Sequence, residues 1–160
     1  MRMLLHACCG PCSLEPSRIL REEGHQLTIF YANSNIAPAE EYEHRLETLR
    51  AWAGPEGIAV QEGAYDQDAW RRTAGRIGAA AVDEARERLL REAADGDAGS
   101  GADGGAPAFG KHGELTLEEA AALAVDPKKR AARCRACYRL RLEEAAQRAA
   151  EEGFEALGTT

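Results

Sequence analysis

An apolar run that ends on a cysteine-rich turn opens the chain and restricts its fold more than any other feature. MRMLLHA, residues 1–7, has the character of a buried strand, and CCGPC, residues 8–12, follows it as a Gly/Pro turn. Ser13 is suited to cap a helix that runs to about Glu23, with Pro16 tolerated in its first turn. The N-terminus therefore predicts a strand, a turn and a helix.

Strand-like and helix-like patterns alternate along the rest of the chain. The further strand-like segments are HQLTIFYAN, GIAVQEG and FEALGTT. The further helical segments are residues 39–52, residues 67–94 with a weak middle at GRIG, TLEEAAALAV, and CRACYRLRLEEAAQRAAEEG. The order predicts right-handed crossovers and an α/β fold with a three-layer, mostly parallel sheet. Such a sheet resembles the Rossmann-like and adenine-nucleotide-hydrolase-like topologies.

The length of 160 residues suits one domain with an insertion. We predict a single α/β domain over 1–160, with a disordered or helical insertion over 71–130. Within it, 95–113 is low-complexity Gly/Ala/Asp sequence. Such a segment buries too little apolar surface to offset its chain entropy, which predicts a disordered loop.

Neither a membrane span nor a signal peptide is recognisable in the sequence. Nothing approaches the roughly 18 consecutive apolar residues that a span needs, and the short N-terminal apolar run leads into cysteines rather than a cleavage site. We therefore expect a cytoplasmic protein with no membrane partner. In a reducing compartment, clustered cysteines indicate metal or redox chemistry more than structural disulfides.

The net charge of −7 argues against a general nucleic-acid binder. Its distribution matters more, because residues 128–141 hold seven basic side chains and no acidic one. Two interpretations remain open for this segment: a solvated helix face, or a patch that faces phosphates.

The five cysteines fall into two groups, Cys8, Cys9 and Cys12 near the N-terminus, and Cys134 and Cys137 near the C-terminus. The first group follows the first strand, where open α/β sheets place their ligands. The second group is a CxxC that we expect at the start of a helix, where the helix dipole favours thiolates.

The adjacent cysteines Cys8 and Cys9 help to discriminate between zinc and an iron–sulfur cluster. In extended backbone, Cys8 and Cys9 are expected to point apart, which is awkward for one tetrahedral Zn²⁺. A [4Fe–4S] cluster binds each thiolate at a different iron. The pattern predicts a cluster on four thiols, with Cys12 as a second-metal ligand, an alternative cluster ligand or a bystander. Inert buried cysteines are the structural alternative.

Five blocks of sequence carry a resemblance to a known family. They are LLHACCGPCS, YANSNIAPAEEYEHRLETL, YDQDAW, RCRACYRLRLEEAA and GFEALGTT. In these blocks the chain resembles the QueH-type epoxyqueuosine reductases of tRNA queuosine biosynthesis. The match runs from end to end apart from about residues 71–130.

The resemblance implies an oxidoreductase that reduces the epoxide of epoxyqueuosine, at the wobble position of the tRNA anticodon, to queuosine. It implies a [4Fe–4S] cluster, a second mononuclear ion (Fe or Zn) and an external electron donor. The implied cluster ligands are Cys8, Cys9, Cys134 and Cys137, with Cys12 and Asp66 near the second metal. Family members continue beyond the position of Thr160 with a further cysteine pair. If that segment is essential, we expect this chain to bind metal but turn over poorly.

Several further side chains are candidates for the reaction implied by the resemblance. Asp66 and Tyr65 are candidate proton donors, although Asp66 is also placed to cap a helix and Tyr65 to pack. Asn33 and Asn35 follow the second strand on the same rim as the thiols. They suit either a turn or a substrate contact. For the tRNA backbone, the candidate contacts are Arg133 and Arg135.

Three functions remain in competition. The first is the cluster-bearing tRNA reductase, and the second is a non-catalytic iron–sulfur or zinc-binding α/β module. The third is a nucleotide-binding α/β domain. Against the third, the turn after the first strand is CCGPCS, with one Gly and a Pro that removes an amide donor, rather than an SGGxDS-like phosphate loop.

Overall fold

The structure is a computed structural model that describes residues 1–96, 109 and 115–160. Its strands are β1 (Arg2–His6), β2 (Gln26–Tyr31), β3 (Ala59–Glu62) and β4 (Ala156–Thr159). Its helices are α1 (Gly10–Glu22), α2 (Ala39–Ala53), α3 (Gln67–Trp70), α4 (Arg76–Gly96), α5 (Leu117–Leu123) and α6 (Pro127–Glu151), and a π-helical turn, Arg71–Gly75, joins α3 to α4. The predicted loop over 95–113 lies outside the described residues, apart from the end of α4 and Phe109.

The four strands form one parallel sheet in the order β3-β2-β1-β4. The chain proceeds outward from β1 through β2 to β3, and then returns to the opposite edge to place β4 beside β1. The strand order therefore reverses between β1 and β4. In open α/β sheets, ligands bind beyond the carboxyl ends of the strands at such a switch point.

Side chains that alternate along the strands fill two cores, one on each face of the sheet. On one face, Leu4 and Phe30 pack with Ala145 and Ala149 of α6. On the other, Ile29 and Tyr31 pack with side chains of α2, which are Tyr42, Leu46, Leu49 and Ala53. Helices thus cover both faces, which confirms the predicted three-layer α/β class.

The chain divides into two units. The first comprises Met1–Trp70 and Cys137–Thr160 and contains the sheet; the second is Arg71–Ala136. In the second unit, a Cβ added to Gly78 would lie 2.7 Å from Cδ of Arg133, so the arginine stem packs directly on the α4 backbone. The prediction of a single domain with an insertion over 71–130 stays a prediction. No helix in the described ranges is long and apolar enough to cross a membrane.

Helix α1 begins earlier than the predicted Ser13, at Gly10, with Cys9 in extended backbone as its N-cap residue. Pro11 occupies the first turn, where a fixed φ is favourable and a missing N–H costs nothing. Pro16 consequently lies inside the helix rather than in its first turn. The hydroxyl of Ser13 donates to the Cys9 carbonyl at 2.8 Å instead of capping the helix.

Helix α6 also begins earlier than predicted. Asp126 precedes it and accepts a hydrogen bond from the Lys128 N–H at 2.7 Å, and Pro127 is its first residue. Cys134 and Cys137 therefore lie inside a helix, and the prediction that they sit at its N-terminus is wrong. The dipole argument for their thiolate forms is lost with it.

A buried polar link joins α6 to the carboxyl-end edge of the sheet. Asn33, which is 0% exposed, donates through Nδ2 to the Ala7 carbonyl at 2.8 Å. Its Oδ1 accepts from Nη1 of Arg141 at 3.1 Å, and Arg141 is only 8% exposed. No carboxylate among the described residues lies within salt-bridge distance of Arg141. A neutral amide thus holds a buried cation against the sheet.

We expect Asn33→Ala to lower the free energy of unfolding by about 1–3 kcal/mol, because it leaves the Arg141 N–H and the Ala7 carbonyl buried without partners. Urea unfolding measures the change. Asn35→Ala is the matched control, since Oδ1 of Asn35 accepts no hydrogen bond and its loss should cost much less. Equal losses in the two variants would contradict this account of the link.

Candidate metal centre

Three thiols gather where β1 gives way to α1. Cys8 and Cys9 lie between the strand and the helix, and Cys12 lies in the first turn of α1. Their sulfur atoms all lie within 4.8 Å of one another. Those of Cys8 and Cys9 are 3.8 Å apart. The prediction that this pair points apart is wrong, because the backbone turns from strand into helix at these residues.

The spacing of this triad fits a metal ion. Zinc–thiolate bonds of about 2.3 Å place two sulfurs of a tetrahedral site about 3.8 Å apart. Soft thiolate donors suit zinc, copper(I) and iron–sulfur centres alike. The triad is thus a cysteine site able to hold a metal, and its spacing withdraws the geometric argument against zinc.

The triad's thiols do not release their protons equally. Burial raises the pKa of the Cys9 thiol, but hydrogen bonds from the backbone and side chain of Cys12, with the Arg45 charge, bring it below its usual value. The pKa of Cys12 is raised to about 12, because its thiol is hydrogen-bonded to Cys9 and Cys8 and faces their negative charge. A bound cation would supply the charge needed to hold all three as thiolates.

A groove of about 360 Å³ adjoins Cys9 between α1 and α2. Arg45 lines it, fixed by an ion pair with Glu41 at 2.6 Å. Arg45 is not among the candidate residues that the sequence singled out. The available signal was its i,i+4 spacing from Glu41 on the helix that follows the second strand, because this spacing allows an ion pair that holds the Arg45 side chain in place. The remaining lining residues are Gly10, Pro11, His44 and Thr48.

The C-terminal thiols have different surroundings. Cys137 belongs to the first unit and is partly buried, and its sulfur accepts a hydrogen bond from Nε1 of Trp70 at 3.3 Å. It is not one of the triad. Cys134 is exposed and belongs to the second unit. The convergence of these two sulfurs with Cys8 and Cys9 stays a prediction.

The two candidate proton donors both make contacts within the protein. Oδ1 of Asp66 accepts the Ala69 N–H at 2.8 Å and caps α3, while the residue remains exposed beside a cavity of about 320 Å³. The Tyr65 hydroxyl donates to the Ile36 carbonyl at 2.9 Å and accepts from Nε2 of Gln67 at 2.6 Å. The tyrosine proton is therefore committed to the backbone.

The candidate substrate contacts differ in how accessible their side chains are. Asn33 is fully buried and both ends of its amide are hydrogen-bonded, whereas Oδ1 of Asn35 is shielded without a partner. Arg133 and Arg135 are both exposed, the stem of Arg133 packing on Gly78. Within the basic segment, Lys129 pairs with Glu84 and Arg139 with Glu143. Part of that segment is thus engaged within the protein.

A family model described as epoxyqueuosine reductase QueH matches residues 3–89 and 112–160. Curated relatives carry the same name. The Histophilus somni protein is 38% identical over 69 residues, which cover 43% of this chain and 28% of the relative. The Acinetobacter baylyi protein is 39% identical over 69 residues, covering 43% and 32%.

The Staphylococcus aureus protein aligns along the whole chain, at 25% identity over 158 residues, covering 99% of this chain and 49% of the relative. The chain thus spans half or less of the length of these relatives. The matched family segments include all five cysteines and exclude residues 90–111. The resemblance found in the sequence is confirmed: the chain belongs to the epoxyqueuosine reductase QueH family.

Proposed function

We propose that this chain carries out an iron–sulfur-dependent, two-electron reduction of the epoxide of epoxyqueuosine, at the tRNA wobble position, to queuosine, with its cysteines as the ligands of the redox centre. The observation that supports the proposal most is the thiol triad, Cys8, Cys9 and Cys12, at the switch point of the sheet. Family membership and the names of the relatives supply the substrate class.

The reaction fixes what the protein must provide. Two C–O bonds break, a C=C bond forms, and the oxygen leaves as water, which consumes two electrons and two protons. When bound, a [4Fe–4S] cluster supplies single electrons, and a neighbouring Fe or Zn ion supplies a Lewis acid. An external electron donor must provide the two electrons.

The chain's own residues have three tasks in this proposal. Cys8, Cys9, Cys134 and Cys137 hold the cluster, and Cys12 holds the second ion, with Asp66 near that ion but not bound to it. Oδ1 of Asp66 is fixed by the helix cap, so Oδ2 is the atom that moves a proton toward the departing oxygen.

Tyr65 was the other candidate acid. It stays a proposed proton donor, and because its hydroxyl donates to the Ile36 carbonyl, the substrate has to displace that bond before Tyr65 can deliver a proton. Asn33 and Asn35 remain proposed substrate contacts. Asn35 has an amide oxygen that folding leaves without a partner.

Anaerobic purification followed by turnover tests the proposal. We expect brown protein that contains iron and acid-labile sulfide, bleaches with dithionite, and converts epoxyqueuosine to queuosine in tRNA. Mass spectrometry of the digested nucleosides measures the conversion. A colourless protein that holds zinc and converts nothing would support the non-catalytic module instead.

Substitution of single cysteines tests the ligand set. We expect Cys8→Ser, Cys9→Ser, Cys134→Ser and Cys137→Ser each to lose most iron, sulfide and activity, because a cluster corner loses its thiolate. Cys12→Ser is the matched comparison and should keep the cluster while losing the second ion. Iron and sulfide analysis decides, and full loading of Cys134→Ser would contradict the set.

Substitution of Arg135 tests the tRNA contact. We expect Arg135→Gln to weaken tRNA binding and to reduce the slope of log K against log salt by about 1, as for one lost phosphate contact. Arg133 suits this test less, because its stem also packs on Gly78. Arg18→Gln, an exposed arginine of α1 paired with Glu15 and Glu22, is the control. An unchanged slope in Arg135→Gln would exclude the contact.

A further inference from the structure

Trp70 makes a directed contact with one of the cysteines. Its indole Nε1 lies 3.3 Å from the sulfur of Cys137, and both side chains are partly buried. The chain leaves the first unit after Trp70 and re-enters it at Cys137. The hydrogen bond thus gives Trp70 a specific polar contact with a cysteine sulfur.

The indole N–H is a donor only, so the Cys137 sulfur must act as the acceptor. A negatively charged sulfur accepts more strongly than a neutral thiol. Arg141 lies one helical turn beyond Cys137 on α6, the i,i+4 spacing that places two residues on the same helix face. It is a buried cation without a carboxylate partner among the described residues. An N–H donated to the sulfur is the kind of contact that orients a metal-bound thiolate.

We infer that Trp70 is a positioning residue for Cys137 as a metal ligand. Its N–H fixes the direction of the sulfur and draws off part of the negative charge that the sulfur carries when a metal is bound. Hydrogen bonds to cluster sulfurs are one of the factors that set the reduction potential, and they favour the reduced, more negative state. The inference rests on the proposed function and deepens it.

The chain supplies its own control. It contains two tryptophans, and the other, Trp52, lies in the last turn of α2 and packs against the core. Trp52→Phe removes an indole of the same size from the first unit without touching a cysteine contact that the structure records. A change seen in Trp70→Phe and absent from Trp52→Phe is therefore specific to the bond to Cys137.

The test loads the full chain and both variants anaerobically with iron and sulfide, and measures the midpoint potential by spectroelectrochemical titration. We expect Trp70→Phe to shift the potential to more negative values and to lose iron to a chelator roughly 10-fold more readily. Trp52→Phe should leave both unchanged. A loaded Trp70→Phe protein with the wild-type potential would overturn the inference, whatever its thermal stability.

A second replacement keeps the test valid if Trp70→Phe fails to fold. In the Trp52→Phe background, biosynthetic replacement of Trp70 by 3-benzothienylalanine substitutes sulfur for the indole N–H and keeps the ring shape. We expect the same negative shift, and its absence would overturn the inference. Wild-type protein that takes up no iron–sulfur centre would overturn the proposed function as well. If the wild-type protein takes up the centre and replacement of Trp70 leaves the midpoint potential unchanged, only the role of Trp70 is overturned.

Discussion

The change of backbone from β1 to α1 within three residues is the constraint on which the site depends. A buried parallel strand has to end at His6, and a helix that begins at Gly10 leaves Cys8 and Cys9 in the turn between them. The strand end is itself fixed from both sides. Nδ1 of His6 contacts the Thr159 hydroxyl on β4 at 3.2 Å, and Nε2 contacts the Ala32 carbonyl after β2 at 3.2 Å. Burial lowers the pKa of His6, which keeps the ring neutral with one donor and one acceptor for these two partners.

The C-terminal cysteines depend on a second long-range connection. Asn33 and Arg141 are separated by 108 positions in sequence and meet in the interior. This contact fixes the turn of α6 that follows Cys137. A buried guanidinium whose recorded partners are an amide oxygen and the Tyr138 ring, 4.9 Å away, costs desolvation energy that these contacts do not fully return. Negative charge on a cysteine-bound metal centre near α6 would offset this desolvation energy of Arg141.

The sequence predicted the α/β class, the strand order along the chain and the cysteine turn, because these follow from local periodicity and turn residues. It missed the start of α1 because Ser13 is a stronger capping residue than Cys9, whereas the strand-to-helix transition and Pro11 decided the start. The start of α6 was readable in Asp126 and Pro127, but the CxxC spacing drew the boundary toward Cys134. The meeting of Asn33 with Arg141, and of Trp70 with Cys137, could not be read locally, since each joins residues more than 60 positions apart.

Hydrogen-bond donors face the sulfurs of both the triad and Cys137, but the donors differ in kind. In the triad, hydrogen bonds between neighbouring thiols lower the pKa of Cys9 and raise that of Cys12. At Cys137, an N–H donor rather than another thiol faces the sulfur. Within the triad itself, only protons can neutralise the thiolates. The charge of Arg45 also lowers the pKa of Cys9, but Arg45 is already paired with Glu41. A metal centre replaces those protons with positive charge and relieves the repulsion among the sulfurs. Binding of a metal at the triad would therefore stabilise this edge of the sheet and couple its folding to the chemistry we propose for it.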